Sequence, residues 1–132
     1  MAFNLDIGGR LGGVKVSRLY LEEILQNFIT NAIRYTQKGS ITLSIKKNKS
    51  GEITFKVIDT GIGISKADIA KIFDKFYRAE DYRTRETKGT GLGLYVSAKL
   101  AKKLGCKIEV ESRLNHGSTF GFKLKEFKNS SK

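Results

Sequence analysis

Apolar residues recur along this chain with two different periods. In residues 3–7 they fall at every second position, Phe3, Leu5 and Ile7, which predicts a short strand broken by Gly8-Gly9 and Gly12-Gly13. Over residues 17–37 the period becomes helical. Leu21, Ile24, Leu25, Phe28, Ile29, Ala32 and Ile33 form one stripe, Ser17 supplies an N-cap, and Lys38-Gly39-Ser40 stops the helix. Period two returns in Ile41, Leu43 and Ile45, and again in Ile53, Phe55 and Val57. Asn48-Lys49-Ser50-Gly51 between these runs reads as a hairpin turn. The second strand leads into Asp59-Thr60-Gly61-Ile62-Gly63-Ile64, too rich in glycine to extend it.

Ser65 is placed to cap a short helix running to residue 73. Residues 74–90 are charged and aperiodic, and they predict a long mobile loop of the kind compact domains use as a lid or binding element. Residues 92–104 are helical again and end at Gly105; strands are expected over 107–111 and 118–124, with a frayed tail after 126. This order predicts an α+β fold of two layers, one mixed sheet of about five strands covered on one face by about three helices. No repeat or linker interrupts it, so residues 1–132 are expected to form a single domain.

Composition agrees with a packed domain: 39% of residues are apolar and 29% charged, which excludes a disordered chain. Fourteen glycines and no proline leave turns and close backbone approaches to Gly, Asn and Asp. The formal net charge of +12 favours an anionic partner, which could be nucleic acid, a membrane surface or a polyphosphate. The basic residues are dispersed over four stretches, as a solvated surface would have them. A single cysteine, Cys106, permits no internal disulfide and is expected as a packed thiol at a strand start. No apolar run is long enough to cross a bilayer, and a cytoplasmic location is expected, whether or not a parent protein is anchored in the membrane.

Three constellations carry chemistry. Asn27 and Asn31 stand four apart on the long helix, at the margin of its apolar stripe, and an amide oxygen is a hard ligand suited to Mg²⁺. Asp59 continues the inward set Ile53, Phe55 and Val57, and a carboxylate there needs a donor such as the exocyclic amine of adenine. Gly89-Thr90-Gly91-Leu92-Gly93-Leu94 opens the last helix, where backbone N–H groups and the helix dipole favour phosphate. Its spacing is neither a Rossmann fingerprint nor a Walker A loop. Taken singly, each has a plainer reading: surface asparagines, a turn aspartate, a flexible loop.

Together and in this order they closely resemble the catalytic domain of sensor histidine kinases. Residues 25–36 match that family's N box and 59–64 its G1 box. Ile72-Phe73-Asp74-Lys75-Phe76-Tyr77-Arg78 matches its F box and 88–94 its G2 box, while Gly117-Ser118-Thr119-Phe120 is similar to its final glycine element. The resemblance covers residues 16–124. It implies the Bergerat fold of gyrase, Hsp90 and MutL, with a mobile ATP lid, and it implies ATP and Mg²⁺ as cofactors. On that pattern Asn31 would bind Mg²⁺, Asn27 would lie beside it, and both would be catalytic. Arg34 would lie near the phosphates and Tyr35 would line the site. Asp59 would take the adenine amine with the help of a water, and Gly61, Gly63 and Ile64 would shape the pocket around it. Phe73 and Phe76 would anchor the lid, with Arg78 and Lys88 as its cations. Gly89, Thr90, Gly91, Leu92, Gly93 and Leu94 would hold the triphosphate, and Thr119 would complete the site.

Gyrase-like members place a glutamate base where this chain has Asn27, and an amide is a poor proton acceptor. The resemblance therefore implies delivery of the γ-phosphate rather than fast hydrolysis. The family's acceptor is a histidine on an upstream dimerisation domain, followed by Glu or Asp. The one histidine here, His116, precedes Gly117 and is expected as a solvent-facing loop residue. The acceptor domain is therefore expected on another part of a parent protein, itself homodimeric, with this fragment monomeric and a response regulator downstream. Two other classes compete. A serine kinase of the anti-sigma type shares the fold, and a basic nucleic-acid module would suit the charge. The latter lacks any helix-turn-helix, zinc or RNA-recognition signature, and no nucleic-acid partner is expected.

Overall fold

The computed structural model describes residues 2–7, 17–75 and 93–125. Strand β1 (Ala2–Ile7) leads to helix α1 (Arg18–Tyr35) and then to β2 (Ser40–Lys47) and β3 (Glu52–Asp59). A single helical turn, α2 (Lys66–Ile69), follows, then α3 (Gly93–Leu104), β4 (Glu109–Arg113) and β5 (Gly117–Lys125). The five strands form one sheet in the order β1-β2-β3-β5-β4, with β1 parallel to β2 and every other pair antiparallel.

Local chemistry accounts for the element ends. Ser17 caps α1 by accepting from the Tyr20 N–H at 3.3 Å, and Ser65 caps α2 by accepting from the Asp68 N–H at 3.2 Å. Asn48 Oδ1 accepts from the N–H groups of Ser50 and Glu52 and so closes the β2–β3 hairpin. Helix α2 ends at Ile69, earlier than the expected residue 73, and turns continue from there. Four helical residues do not sustain a helix without packing on both sides. Strand β4 begins two residues later than expected, at Glu109, because Gly105 and Cys106 donate back to the end of α3 before the chain extends.

The core lies between α1 and the sheet. Ile24, Phe28 and Ala32 face Ile53, Phe55 and Val57 of β3 and Phe120, Phe122 and Leu124 of β5. Cross-strand register pairs Ile53 with Leu124, Phe55 with Phe122 and Val57 with Phe120. Phe55 and Phe122 stack with centroids 5.0 Å apart, and Phe28 lies 5.5 Å from Phe120. Each such ring contributes about 1.5–3 kcal/mol by burial. The stripe read from the sequence is narrower than expected on α1: Ile33 is exposed, whereas Asn31 is buried. Phe3, Leu5 and Ile7 share a sheet face with Ile41, Leu43 and Ile45 yet remain exposed on the edge strand.

Candidate functional site

The apolar face of the sheet ends in a polar row. Register places Ile41, Asp59, Ser118 and Ser112 side by side across β2, β3, β5 and β4, so three polar side chains follow the phenylalanine rows. Asp59 is 4% exposed. Its Oδ1 accepts from the Gly61 N–H at 2.9 Å, and the Ser118 N–H also donates to the carboxylate. Burial nevertheless wins, and the Asp59 pKa is pushed above its ordinary value of 3.8; the backbone donors only moderate the rise. The Thr36 hydroxyl is a third donor to this carboxylate, and since a carboxylate can accept about four hydrogen bonds, capacity remains for a ligand amine. Ser112 Oγ lies 2.7 Å from Ser118 Oγ and accepts from the Ile64 N–H at 2.8 Å, which fixes the loop after Asp59.

Gly61 and Gly63 let the chain pack closely on itself. A Cβ on Gly61 would strike the Tyr35 carbonyl, and one on Gly63, where φ is +71°, would strike the Arg113 carbonyl. The space freed by the two glycines is thus filled by protein. They let the loop press against the end of α1 and the β4–β5 turn, and Ile62 donates to the Tyr35 carbonyl at 3.0 Å. An open cavity of about 380 Å³ lies outside this loop, lined by Gln37, Lys38, Thr60, Gly61, Ile62 and Asn115. Its lining includes none of Asp59, Asn27 and Asn31.

On α1 the asparagines do not lie on the solvent side. Asn31 is buried beside the core residues Phe28 and Ala32, and its amide makes no hydrogen bond with any described residue. Asn27 is half-buried against α3, and its orientation follows from hydrogen-bond accounting. Ser97 has one hydroxyl proton, which it donates to the Gly93 carbonyl at 2.9 Å. Both Ser97 Oγ and the Gly93 carbonyl therefore present lone pairs to Asn27. The amide nitrogen must face them, at 3.0 and 3.2 Å. Among the described residues nothing donates to Asn27 Oδ1, which lies at the first turn of α3, 3.9 Å from where a Cβ on Gly93 would sit.

Of the other expected site residues, Arg34 and Tyr35 are half-buried in the last turn of α1. Ile64 is buried, Leu94 packs on the core from the first turn of α3, and Thr119 is half-buried on β5 opposite Ile58. Phe73 meets Phe120 edge-on at 6.4 Å. Phe76, Arg78, Lys88, Gly89, Thr90, Gly91 and Leu92, and with them the expected lid, lie outside the described residues. His116 is exposed in the β4–β5 turn, with Nδ1 3.0 Å from the Leu114 carbonyl.

Four polar residues near the site escaped the sequence reading: Thr36, Ser97, Ser112 and Ser118. Ser118 was within reach of it, since extending the set Phe120, Phe122 and Leu124 backwards by two gives Ser118. The others depend on contacts between distant segments.

The family described as histidine kinase-, DNA gyrase B- and HSP90-like ATPase matches residues 17–128. The chain belongs to that family. Within it, this ATPase domain is of the histidine-kinase kind. It is 41% identical over 101 residues to the aerobic respiration control sensor protein ArcB of Escherichia coli (strain K12), a match covering 76% of this chain and 13% of ArcB. It is 39% identical over 105 residues to the sensor protein SrrB of Staphylococcus aureus (strain NCTC 8325 / PS 47), covering 79% of this chain and 18% of SrrB. The chain thus spans less than a fifth of the length of either sensor protein. Among solved structures, full-length ShkA in complex with AMPPNP superposes with a TM-score of 0.80 at 28% identity, over 93% of this chain and 25% of that one. A nucleotide-free catalytic domain of histidine kinase ThkA gives 0.77 at 28% identity, over 95% and 80%.

Proposed function

We propose that this ATPase domain binds ATP·Mg²⁺ and delivers the γ-phosphate to a histidine on a separate dimerisation domain, from which it passes to a response regulator. The observation that carries this is the pairing of a buried carboxylate with unused lone pairs, Asp59, and an amide whose oxygen is turned outward at the start of a helix, Asn27. The donor set suits the ligand. Adenine offers an amine to Asp59, and Mg²⁺ accepts one or two amide oxygens when phosphate and water complete its shell. Among the described residues no three His, Cys, Asp or Glu side chains come together as a metal cage. A metal held by Asn31 with Asn27 beside it would therefore depend on the nucleotide for further ligands.

When bound, Mg²⁺ would neutralise charge on the phosphate oxygens. The chain's own residues would do the rest by holding the nucleotide still, which is most of what phosphoryl transfer requires. Asp59 would fix the base, α1 would present Asn31 and Arg34 towards the phosphates, and Gly93 with Leu94 would bring the N-terminus of α3 to the triphosphate. Among the described residues no side chain positioned here is a base for water: Asn27 cannot take a proton usefully, and Glu23 is exposed one turn back. This supports transfer over hydrolysis. Among the described residues no helix is long and apolar enough to cross a membrane.

The test is incubation with γ-labelled ATP, Mg²⁺ and the purified dimerisation domain of the same parent protein. Label should appear on that domain in an acid-labile, base-stable form, as phosphohistidine is. Acid-stable label on a serine would instead support the anti-sigma type of kinase, and no label on any protein would reject the transfer.

A further inference from the structure

The two edges of the sheet are finished differently. At one edge β4 alternates charged side chains, Glu109, Glu111 and Arg113, of the kind that keep an edge from pairing with other chains. At the other edge β1 has no lysine, arginine or proline. Its apolar side chains Phe3, Leu5 and Ile7 are 63%, 73% and 53% exposed. Its one charged residue, Asp6, lies on the opposite face and pairs with Lys46 at 2.9 Å. Register gives the direction of the backbone groups. The Ala2 N–H donates to the Gly39 carbonyl at 2.8 Å, so the N–H and C=O groups of Ala2, Asn4 and Asp6 face β2. Those of Phe3, Leu5 and Ile7 face away from it, and no described residue pairs with them.

This edge is complementary to itself. A second β1 laid antiparallel, with Leu5 opposite Leu5, puts Phe3 opposite Ile7 on either side of the centre. All of these are hydrogen-bonded pairs, and together they satisfy every outward N–H and C=O of the three residues. A shift of one residue would set outward groups against inward ones. A shift of two would leave Phe3 or Ile7 without an opposite residue in the strand. The side chains agree with the same register. The apolar side chains of both copies form one row beside Leu43 and Ile45. On the other face Asn4 stands opposite Asp6, an amide donor against a carboxylate, so the strand's only charge does not meet its own copy. We propose that a second copy of this chain docks on β1 and joins the two sheets edge to edge about a two-fold axis. The monomeric fragment expected from the sequence is then half of a self-associating unit. Asp59 lies at the Phe3 end of the sheet, through Ile41. Antiparallel copies therefore point their Asp59 ends in opposite directions, and the docking surface is separate from the nucleotide-binding function proposed above.

The contact is one strand wide, so association should be weak and is best read by sedimentation velocity under reducing conditions, from about 10 µM to about 1 mM. The wild-type chain should pass from monomer to dimer over that range. It should do so more readily at about 500 mM than at about 50 mM NaCl, because salt screens the repulsion between two chains of formal charge +12. Leu5→Lys sets two cations opposite each other on the axis and should weaken the dimer at least roughly tenfold. Its melting temperature and ATP·Mg²⁺ affinity should match the wild type, since Leu5 is exposed and remote from Asp59. Oxidation reads the register in a Cys106→Ser background. Leu5→Cys should give a disulfide-linked dimer, because opposed Cα atoms of a hydrogen-bonded pair lie about 5.5 Å apart. Asn4→Cys, which faces Asp6 of the second copy, should not. A monomer at every concentration would overturn the proposal and leave this face to another part of the parent protein. So would a dimer that Leu5→Lys leaves intact, or equal cross-linking by the two cysteine variants.

Discussion

Asp59 shows how one residue can work against folding and for binding. Two backbone donors hold it, yet burial keeps its pKa above 3.8. A carboxyl raised in the fold favours the protonated folded state. The stability it contributes is complete below the unfolded value near 3.9 and is lost as pH rises through the raised folded value. At neutral pH the ionised group is therefore a cost to the fold, and Asp59→Asn should leave the melting temperature at pH 7 unchanged or higher. The same variant should weaken ATP at least roughly tenfold, since the amide nitrogen opposes the adenine amine; ATP affinity equal to wild type by calorimetry would remove the adenine role. ATP affinity of the wild type should also fall on acidification at a pH where an unburied aspartate is still ionised. Asn31 is tested in the same way. Asn31→Ala should lose the Mg²⁺-dependent part of nucleotide binding while binding to metal-free nucleotide persists, and an unchanged Mg²⁺ dependence would exclude it as a ligand.

At the scale of elements, the contact between α1 and α3 joins Asn27 to Gly93 in the first turn of α3. Asn27, Ser97 and the Gly93 carbonyl form a closed set of hydrogen bonds between the two helices. Removing the Ser97 hydroxyl leaves Asn27 one partner and frees the amide to rotate. Ser97→Ala is expected to weaken ATP·Mg²⁺ about three- to tenfold, in keeping with one hydrogen bond between neutral groups. Metal-free nucleotide should be affected less, because a rotated amide withdraws its oxygen and not its bulk. Titrations with and without Mg²⁺ would show this, and equal losses under both conditions would reduce Ser97 to packing. The elements themselves were largely visible in the sequence. Caps at Ser17 and Ser65, the Asn48 turn and the alternating strands depend on neighbours within a few positions. The end of α2 and the exposure of Ile33 and of the β1 side chains depend on what packs against them, which no local pattern contains.

For the molecule as a whole, charge is the property most open to test. A chain of formal charge +12 that binds a polyphosphate should associate with it more weakly as salt screens the field. ATP·Mg²⁺ affinity is expected to fall several-fold between about 50 and about 500 mM NaCl. An affinity independent of salt would show that the basic surface has no part in capturing nucleotide.

The sequence by itself determined the α+β class, the strand and helix order, the family, and which residue types stand at the ends of which elements. These follow from periodicity, capping and motif spacing, all written in short stretches of chain. Only the tertiary structure decided what those residues do for one another. It buried Asn31, turned Asn27 through Ser97, filled the space beside Gly61 and Gly63 with protein, and brought the Ser118 N–H to Asp59. The physical reason is that hydrogen-bond satisfaction and burial are properties of groups brought together from distant positions: Asn27 and Ser97 are 70 residues apart, and no local pattern records that they meet.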